Sequence, residues 1–393
     1  MIASAEASRV RTIYLDYNAT TPLDPAVRDA MLPFLGEIWG NPSSVHHVGR
    51  RARAILDDAH DRVARLFAVK PSEIVFTSGG TESNNLAIFG TARLLRDKGR
   101  HIITSSIEHH AVLHAVRYLE TKEGFEITYL AVDSEGRVSI DALRAALRPD
   151  TILVTIMAAN NEIGTLQPVA EIGALCRERG ILFHTDAVQW FGKEPFTNIG
   201  QFNADLVSIC AHKFHGPKGA GALYIRSPLQ PDPILFGGGH ENERRAGTEN
   251  LAAIIGFAEA VEKFVRVPVF DAAKLAPLSV RLIATVDALS DRGVHFRGAR
   301  AGRLTNTVSF TVAGVDSMTM LAGLDLEGVC ASSGSACSAG SLEPSHVMVA
   351  LGLENIEANA LVRFSIGRET VPGDIDLVAR VLPEVVSRAQ PVQ

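Results

Sequence analysis

An α/β fold built on a mostly parallel sheet, with a smaller α+β domain after it, is what the 393-residue sequence predicts. Three observations carry that expectation. Strand-length apolar runs recur between residues 73 and 226, stretches of helical spacing separate them, and the pattern changes near residue 260. Strands alternating with helices form parallel sheets, because each helical crossover carries the chain back to the end of the sheet it left.

A helix is predicted first, since Val48, Ala52, Ile55, Ala59, Val63, Leu66 and Phe67 share one face. The runs Ile74–Thr77, His101–Thr104, Ile152–Met157, Ile181–His184 and Leu206–Cys210 are apolar and bounded by polar or Gly residues, which predicts strands. Leu251–Val265 reads as a long helix, broken at Arg266-Val267-Pro268 and followed by another near 273–289. Beyond it come a strand at Asn306–Thr311, a helix from Asp316, a Ser/Gly/Ala-rich loop at 331–341 and a strand at Leu361–Ile366. The expected organisation is an N-terminal segment, 1–15, packing with the small domain, a large α/β domain, 16–260, and the small domain, 261–393.

Composition narrows the function. With 46% hydrophobic and 21% charged residues the chain is neither disordered nor collagenous. Thirty-eight Lys+Arg against 44 Asp+Glu give a net charge of −6, which argues against a dedicated nucleic-acid binder. The four cysteines, Cys176, Cys210, Cys330 and Cys337, form no C-x-x-C pair, so zinc-ribbon and thioredoxin-like readings have no support and no metal is expected. Few thiols, no apolar core in MIASAEASRVR and no run of about 18 apolar residues lead us to expect a cytoplasmic protein that does not span a membrane.

Ligands of parallel α/β sheets bind in loops beyond the carboxyl ends of the strands. Thr77-Ser78-Gly79-Gly80-Thr81-Glu82-Ser83 is such a loop and opens a helix. Small residues let backbone N–H groups approach an anion, and the helix N-terminus adds about half a positive charge. A plain βα turn capped by Thr81 explains this segment equally well. Asp186, in His184-Thr185-Asp186-Ala187-Val188-Gln189, ends another strand, where a carboxylate is costly unless a cation faces it. Lys213, in Ala211-His212-Lys213-Phe214-His215-Gly216, follows the next, and a lysine there can have a depressed pKa and form a Schiff base. Taken singly, a helix cap and a surface lysine are the competing readings. Taken together, an anion cradle, a carboxylate and a lysine at successive strand ends meet the needs of pyridoxal phosphate.

The motifs closely resemble those of the cysteine desulfurases, in the class V group of fold-type-I pyridoxal-phosphate enzymes. The similarity runs from Tyr14-Leu15-Asp16-Tyr17-Asn18-Ala19-Thr20-Thr21-Pro22 to Val362-Arg363-Phe364-Ser365-Ile366-Gly367-Arg368. It includes Gly40-Asn41-Pro42-Ser43-Ser44, Ala159-Asn160-Asn161-Glu162-Ile163-Gly164-Thr165 and Arg245-Ala246-Gly247-Thr248-Glu249-Asn250. The most specific stretch is Ser332-Ser333-Gly334-Ser335-Ala336-Cys337, continued by Ser341-Leu342-Glu343-Pro344-Ser345-His346. It looks like the branch with a longer cysteine loop, which serves nitrogen fixation and iron–sulfur assembly.

The resemblance implies that Lys213 carries the cofactor and acts as base at Cα, that Asp186 pairs with the pyridinium, and that His109 stacks on the ring and shuttles protons. Gln189 and Asn161 would reach the cofactor or substrate, and Arg363 the substrate carboxylate. Gly80, Thr81 and His212 would hold phosphate, with Thr248 supplied by a neighbouring subunit of a homodimer. Cys210 stands where many relatives have a phosphate-binding serine, and a thiol is the weaker donor. Cys337, among small residues, would be the nucleophile that receives sulfur from L-cysteine as a persulfide and passes it to an acceptor or scaffold protein. Cys176 and Cys330 are expected to be buried packing residues. A selenocysteine lyase, an aminotransferase and a non-catalytic sulfur carrier are the rival readings.

Overall fold

A computed structural model describes residues 12–334 and 344–390. The first described strand is β1 (Ile13–Tyr14), and the chain divides into two compact units. The larger comprises Thr20–Asn160 and Thr165–Val269, and the smaller Met1–Ala19, Asn161–Gly164 and Phe270–Gln393.

The larger unit is built on seven strands: β2 (Ile74–Thr77), β3 (His101–Ser105), β4 (Glu126–Leu130), β5 (Thr151–Thr155), β6 (Leu182–Asp186), β7 (Leu206–Cys210) and β8 (Gly221–Ile225). Their order across the sheet is β2-β8-β7-β6-β5-β3-β4. All run the same way except β8, which is antiparallel to β2 and β7. Every residue of β2, β3, β5, β7 and β8 is buried, as a sheet covered on both faces requires. β4, an edge strand whose residues are mostly exposed or half-buried, is not among the apolar runs of the sequence. The parallel arrangement brings the carboxyl ends of β2, β3, β5, β6 and β7 to one rim, and the candidate site residues of this unit follow those ends.

The helix His47–Phe67 buries Ala52, Leu56, Ala59 and Val63, so its inner face is centred on Leu56 and leaves Ile55 half-buried. The helix Leu251–Phe264 buries nearly every side chain, among them Ile254, Phe257, Ala258 and Val261 in the main core. An expected boundary at 260 cuts this helix. Because most of its residues are buried in the core of the larger unit, it stays whole there, and the division falls after Val269.

In the smaller unit β9 (Val294–Arg297), β10 (Thr307–Val312) and β12 (Leu361–Ser365) form an antiparallel sheet in the order β12-β10-β9. β1 pairs in parallel with β11 (Val329–Cys330). Among the described residues only β1 pairs with β11, and Cys330 is half-exposed rather than buried as the sequence suggested, whereas Cys176 is fully buried. No helix among the described residues is long and apolar enough to cross a membrane.

Candidate active site

At the end of β2 the chain turns through Ser78 and Gly79 into the helix Gly80–Leu95. Gly79 is the N-cap and provides no side chain, so no side-chain hydrogen bond caps the helix. A Cβ on Gly80 would stand 2.7 Å from Val188 Cγ2, so glycine permits this close approach of the β2 and β6 loops. Glu82, in the first turn, accepts from Ser78 N–H at 2.8 Å and pairs with Arg245 at 2.8 Å. Burial alone would raise the Glu82 carboxyl, but the Arg245 guanidinium and the Ser78 amide bring it below the usual range. The pair fastens the start of the Arg245–Asn250 motif to the cradle, while Thr248 in that motif is exposed.

Asp186 ends β6, 5% exposed. Its Oδ2 accepts from Asn84 Nδ2 at 2.6 Å and its Oδ1 from Val188 N–H at 3.0 Å, so each carboxylate oxygen is held by one donor. Asn84 lies one helical turn beyond Gly80, so one helix both forms the cradle and orients the carboxylate. Its own Oδ1 is buried without a partner among the described residues. After β3, Glu108 is completely buried and its Oε1 accepts from Ser105 Oγ at 2.5 Å and Met157 N–H at 3.0 Å. Burial pushes the Glu108 carboxyl up to about 8, and the Asp186 charge adds to the rise. His109 is the N-cap of the next helix, accepting the Ala111 N–H on Nδ1 at 3.1 Å. While that bond holds, Nδ1 carries no proton, and Nε2 is the nitrogen left for chemistry.

β7 ends at Cys210 and runs into a 3₁₀ turn, Ala211–Lys213. Thr21 braces this turn: its N–H and Oγ1 both donate to His212 O at 3.0 Å, and His215 N–H donates to Thr21 Oγ1 at 2.7 Å. Burial, reinforced by Lys213 and Lys218, pushes the His212 imidazole down to about 3. Its Nδ1 lies 3.1 Å from Thr20 Oγ1, and a hydroxyl donating there leaves the ring proton on Nε2, ready for an anion. Cys210 is 3% exposed, and its thiol is 3.8 Å from Ala220 O. Burial raises the thiol, which argues for a neutral neighbour of the Gly79–Gly80 turn and not a nucleophile. Gln189 accepts from Lys193 Nζ through Oε1.

The smaller unit carries Asn161 and Arg363. Arg363 is 1% exposed, and its guanidinium donates from Nη1 to Asn161 O at 2.8 Å and Gly334 O at 2.7 Å, and from Nη2 to Asp16 at 2.8 Å. Its Nε has no hydrogen-bond partner among the described residues. A buried cation whose Nε–H is left unpaired among the described residues suits an incoming carboxylate. Cys337 lies outside the described residues.

A model of the class-V aminotransferases matches residues 13–378. The cysteine desulfurase IscS of Dictyoglomus turgidum is 49% identical over 383 residues, covering 97% of this chain and 96% of its own. The chain belongs to the class-V aminotransferases, among the cysteine desulfurases. Among solved structures, one described as a NifS-like protein superposes with a TM-score of 0.88 at 36% identity, over 96% of this chain and all of its own length. Another, described as SspA in complex with cysteine, has a TM-score of 0.78 at 37% identity, over 92% of this chain and 100% of that one.

The donor set of this cysteine desulfurase fits pyridoxal phosphate: an uncapped helix N-terminus beside a glycine cradle for a dianion, a doubly held carboxylate for a pyridinium, and a primary amine for an aldehyde. Asn84, Glu108, Asp16 and Thr21 were not singled out from sequence. Asn84 could have been found from its position one turn after the glycines, but Thr21 and Asp16 act across more than 190 residues of chain.

Glu108 allows a pH test. An unfolded glutamate titrates near about 4.3. With the folded group at about 8, the native state holds the extra proton between these values, so stability falls as pH rises through that window. Glu108→Gln keeps an oxygen for Ser105 and Met157 but has no proton to lose. The wild type should lose about 1.4 kcal/mol per pH unit more than Glu108→Gln from pH 5 to 7.5, read by urea denaturation. Equal slopes would remove Glu108 as the cause.

Proposed function

We propose that the chain is a pyridoxal-phosphate-dependent cysteine desulfurase, turning L-cysteine into L-alanine and leaving the sulfur on Cys337 as a persulfide. The observation that carries the reading is Asp186, oriented by Asn84 and Val188 on the same rim of the sheet where β7 delivers Lys213. The relative named as a cysteine desulfurase and the fold neighbour holding cysteine support the substrate.

Bound pyridoxal phosphate would supply the electron sink that stabilises negative charge at the substrate Cα. Gly80, Thr81 and His212 would hold its phosphate, with Cys210 packed against the cradle and Thr248 of the partner subunit completing it in a homodimer. Asp186 would keep the proton on the pyridine nitrogen. Gln189 and Asn161 would fix its remaining polar edge and the substrate. Lys213 would hold the group, and its amine would serve as the base that takes the substrate Cα proton. His109 would move a proton through Nε2, the nitrogen its helix cap leaves available. Arg363 would bind the α-carboxylate. The Cys337 thiolate would attack the substrate sulfur: an S–S bond forms, the Cβ–S bond breaks with its electron pair left on carbon, that carbon takes a proton, and the base returns a proton to Cα. Cysteine and a thiol thus become alanine and a persulfide, with all atoms accounted for. An acceptor protein, such as an iron–sulfur scaffold in the cytoplasm, would collect the sulfur.

Purified protein given L-cysteine and dithiothreitol should release alanine and sulfide in equal amounts. Sulfide with pyruvate, or no alanine, would overturn the reading. The same assay with L-selenocysteine separates a desulfurase from a selenocysteine lyase.

A further inference from the structure

His60, on the helix His47–Phe67, takes no part in the chemistry above, yet both of its ring nitrogens face acceptors. Nδ1 is 3.0 Å from Leu56 O, and Nε2 is 3.0 Å from Glu241 Oε2. A carbonyl oxygen can only accept, so Nδ1 carries a proton, and a hydrogen bond between Nε2 and the carboxylate then requires a second one. The Glu241 side chain is 2% exposed. Its Oε2 also accepts from Phe76 N–H, on β2, at 3.0 Å, and its Oε1 has no partner among the described residues. Without the second proton, the Nε2 lone pair would face a buried carboxylate left with one donor. Glu241 also begins a run of left-handed backbone, with φ of +47°, +55° and +65° at Glu241, Asn242 and Glu243. Such backbone is unfavourable for residues with a side chain and persists only where the surroundings hold it. Arg244 closes the run, donating from Nε to Glu241 O at 3.2 Å and from Nη2 to Ser72 O at 2.6 Å. Arg245 follows, paired with Glu82 in the first turn of the helix that opens at Gly80. The cleft beside His60, about 280 Å³, is lined by Asp57, Asp61, Glu241 and Glu249, and by Arg53, which pairs with Asp57 at 2.9 Å. Burial lowers the His60 imidazole, but the hydrogen bond and charge of Glu241, with the Leu56 carbonyl and Asp57, outweigh it and raise the ring above its ordinary 6.5.

We propose that doubly protonated His60 is a positioning residue that pins the left-handed Glu241–Glu243 run beside β2, and so sets the path of the chain into Arg245, and that loss of the second proton releases the run. Because the folded value is the raised one, the hold is complete below about 6.5 and is lost as pH rises through the folded value. Its bearing on the cofactor rests on the reading of the Gly79–Gly80 turn as a phosphate cradle; the pin itself does not.

The test is amide hydrogen exchange of peptides spanning 237–248 in protein incubated with pyridoxal phosphate, each rate divided by that of an unstructured chain at the same pH. From about pH 6 to about pH 9 the corrected rate should rise by about tenfold or more in the wild type, while peptides from β5 stay constant. His60→Leu should exchange fast at both ends of the range. Glu241→Gln should stay within about twofold across it, because a neutral amide can donate to a neutral imidazole without the second proton. A corrected rate that does not change with pH in the wild type, or that rises equally in His60→Leu, overturns the proposal. If β5 loosens together with the segment, the ring itself decides. The affinity of His60 for its proton, followed by nitrogen NMR, should be about tenfold or more lower in Glu241→Gln than in the wild type, and an equal affinity overturns the pin. If exchange behaves as expected while the protein takes up no pyridoxal phosphate, the pin stands and the cofactor reading falls.

Discussion

Cys337→Ala is expected to lower alanine formation from L-cysteine by on the order of 10³-fold or more, with the visible absorbance of bound cofactor unchanged. Deleting a nucleophile removes the covalent route altogether, and the residual rate then reports what binding and the other groups achieve alone. The other three thiols cannot take its place. Cys176 and Cys210 are buried, and burial pushes the Cys176 thiol up to about 12, far from the thiolate that sulfur transfer requires. Cys330 is half-exposed, but burial and the nearby Asp325 and Asp16 carboxylates raise its thiol as well. Mass spectrometry after a single turnover should find one extra sulfur on a wild-type peptide containing Cys337 and none on the variant. Alanine production at the wild-type rate in Cys337→Ala would end the assignment.

Lys213→Ala should lose a further kind of chemistry. Removal of a general base costs about 10²–10⁴-fold, and here the same amine would also hold the cofactor, so the loss should lie at or beyond the upper end. Two measurements separate these duties. The visible absorbance of protein reconstituted with pyridoxal phosphate should change in the variant, because no lysine at this position is left to bind it. Added methylamine should restore part of the cofactor exchange with substrate without restoring the proton transfer. The backbone of the turn should be unaffected, since Thr21 braces it through the His212 carbonyl and the His215 amide and not through the lysine side chain. A variant that keeps both its absorbance and its activity would show that another amine does the work.

The rim of the larger unit's sheet was readable from sequence because parallel strands buried on both faces are written as near-continuous apolar runs. β2, β3, β5, β6 and β7 all fall within or beside predicted runs, and Gly80, Asp186 and Lys213 follow directly from where those runs stop. β4 was not readable, since an edge strand with exposed residues has no such run. The packing face of the helix His47–Phe67 was legible only approximately, because Ile55 and Leu56 are equally apolar and tertiary contact chooses between them.

The sequence by itself determined the chemistry available to this protein: which amine, carboxylate, imidazole, guanidinium and thiol lie in motifs suited to pyridoxal phosphate and L-cysteine. Only the tertiary structure decided how those groups are held and charged. That Asn84 orients Asp186, that Thr21 braces the Lys213 turn, that a buried Glu108 retains its proton towards neutral pH, and that His60 meets Glu241 are contacts between residues far apart in the chain. The physical reason is that local sequence patterns specify strands, turns and caps. Hydrogen-bond partners and desolvation depend on what folding brings within a few ångströms, and that is written in no single stretch of chain.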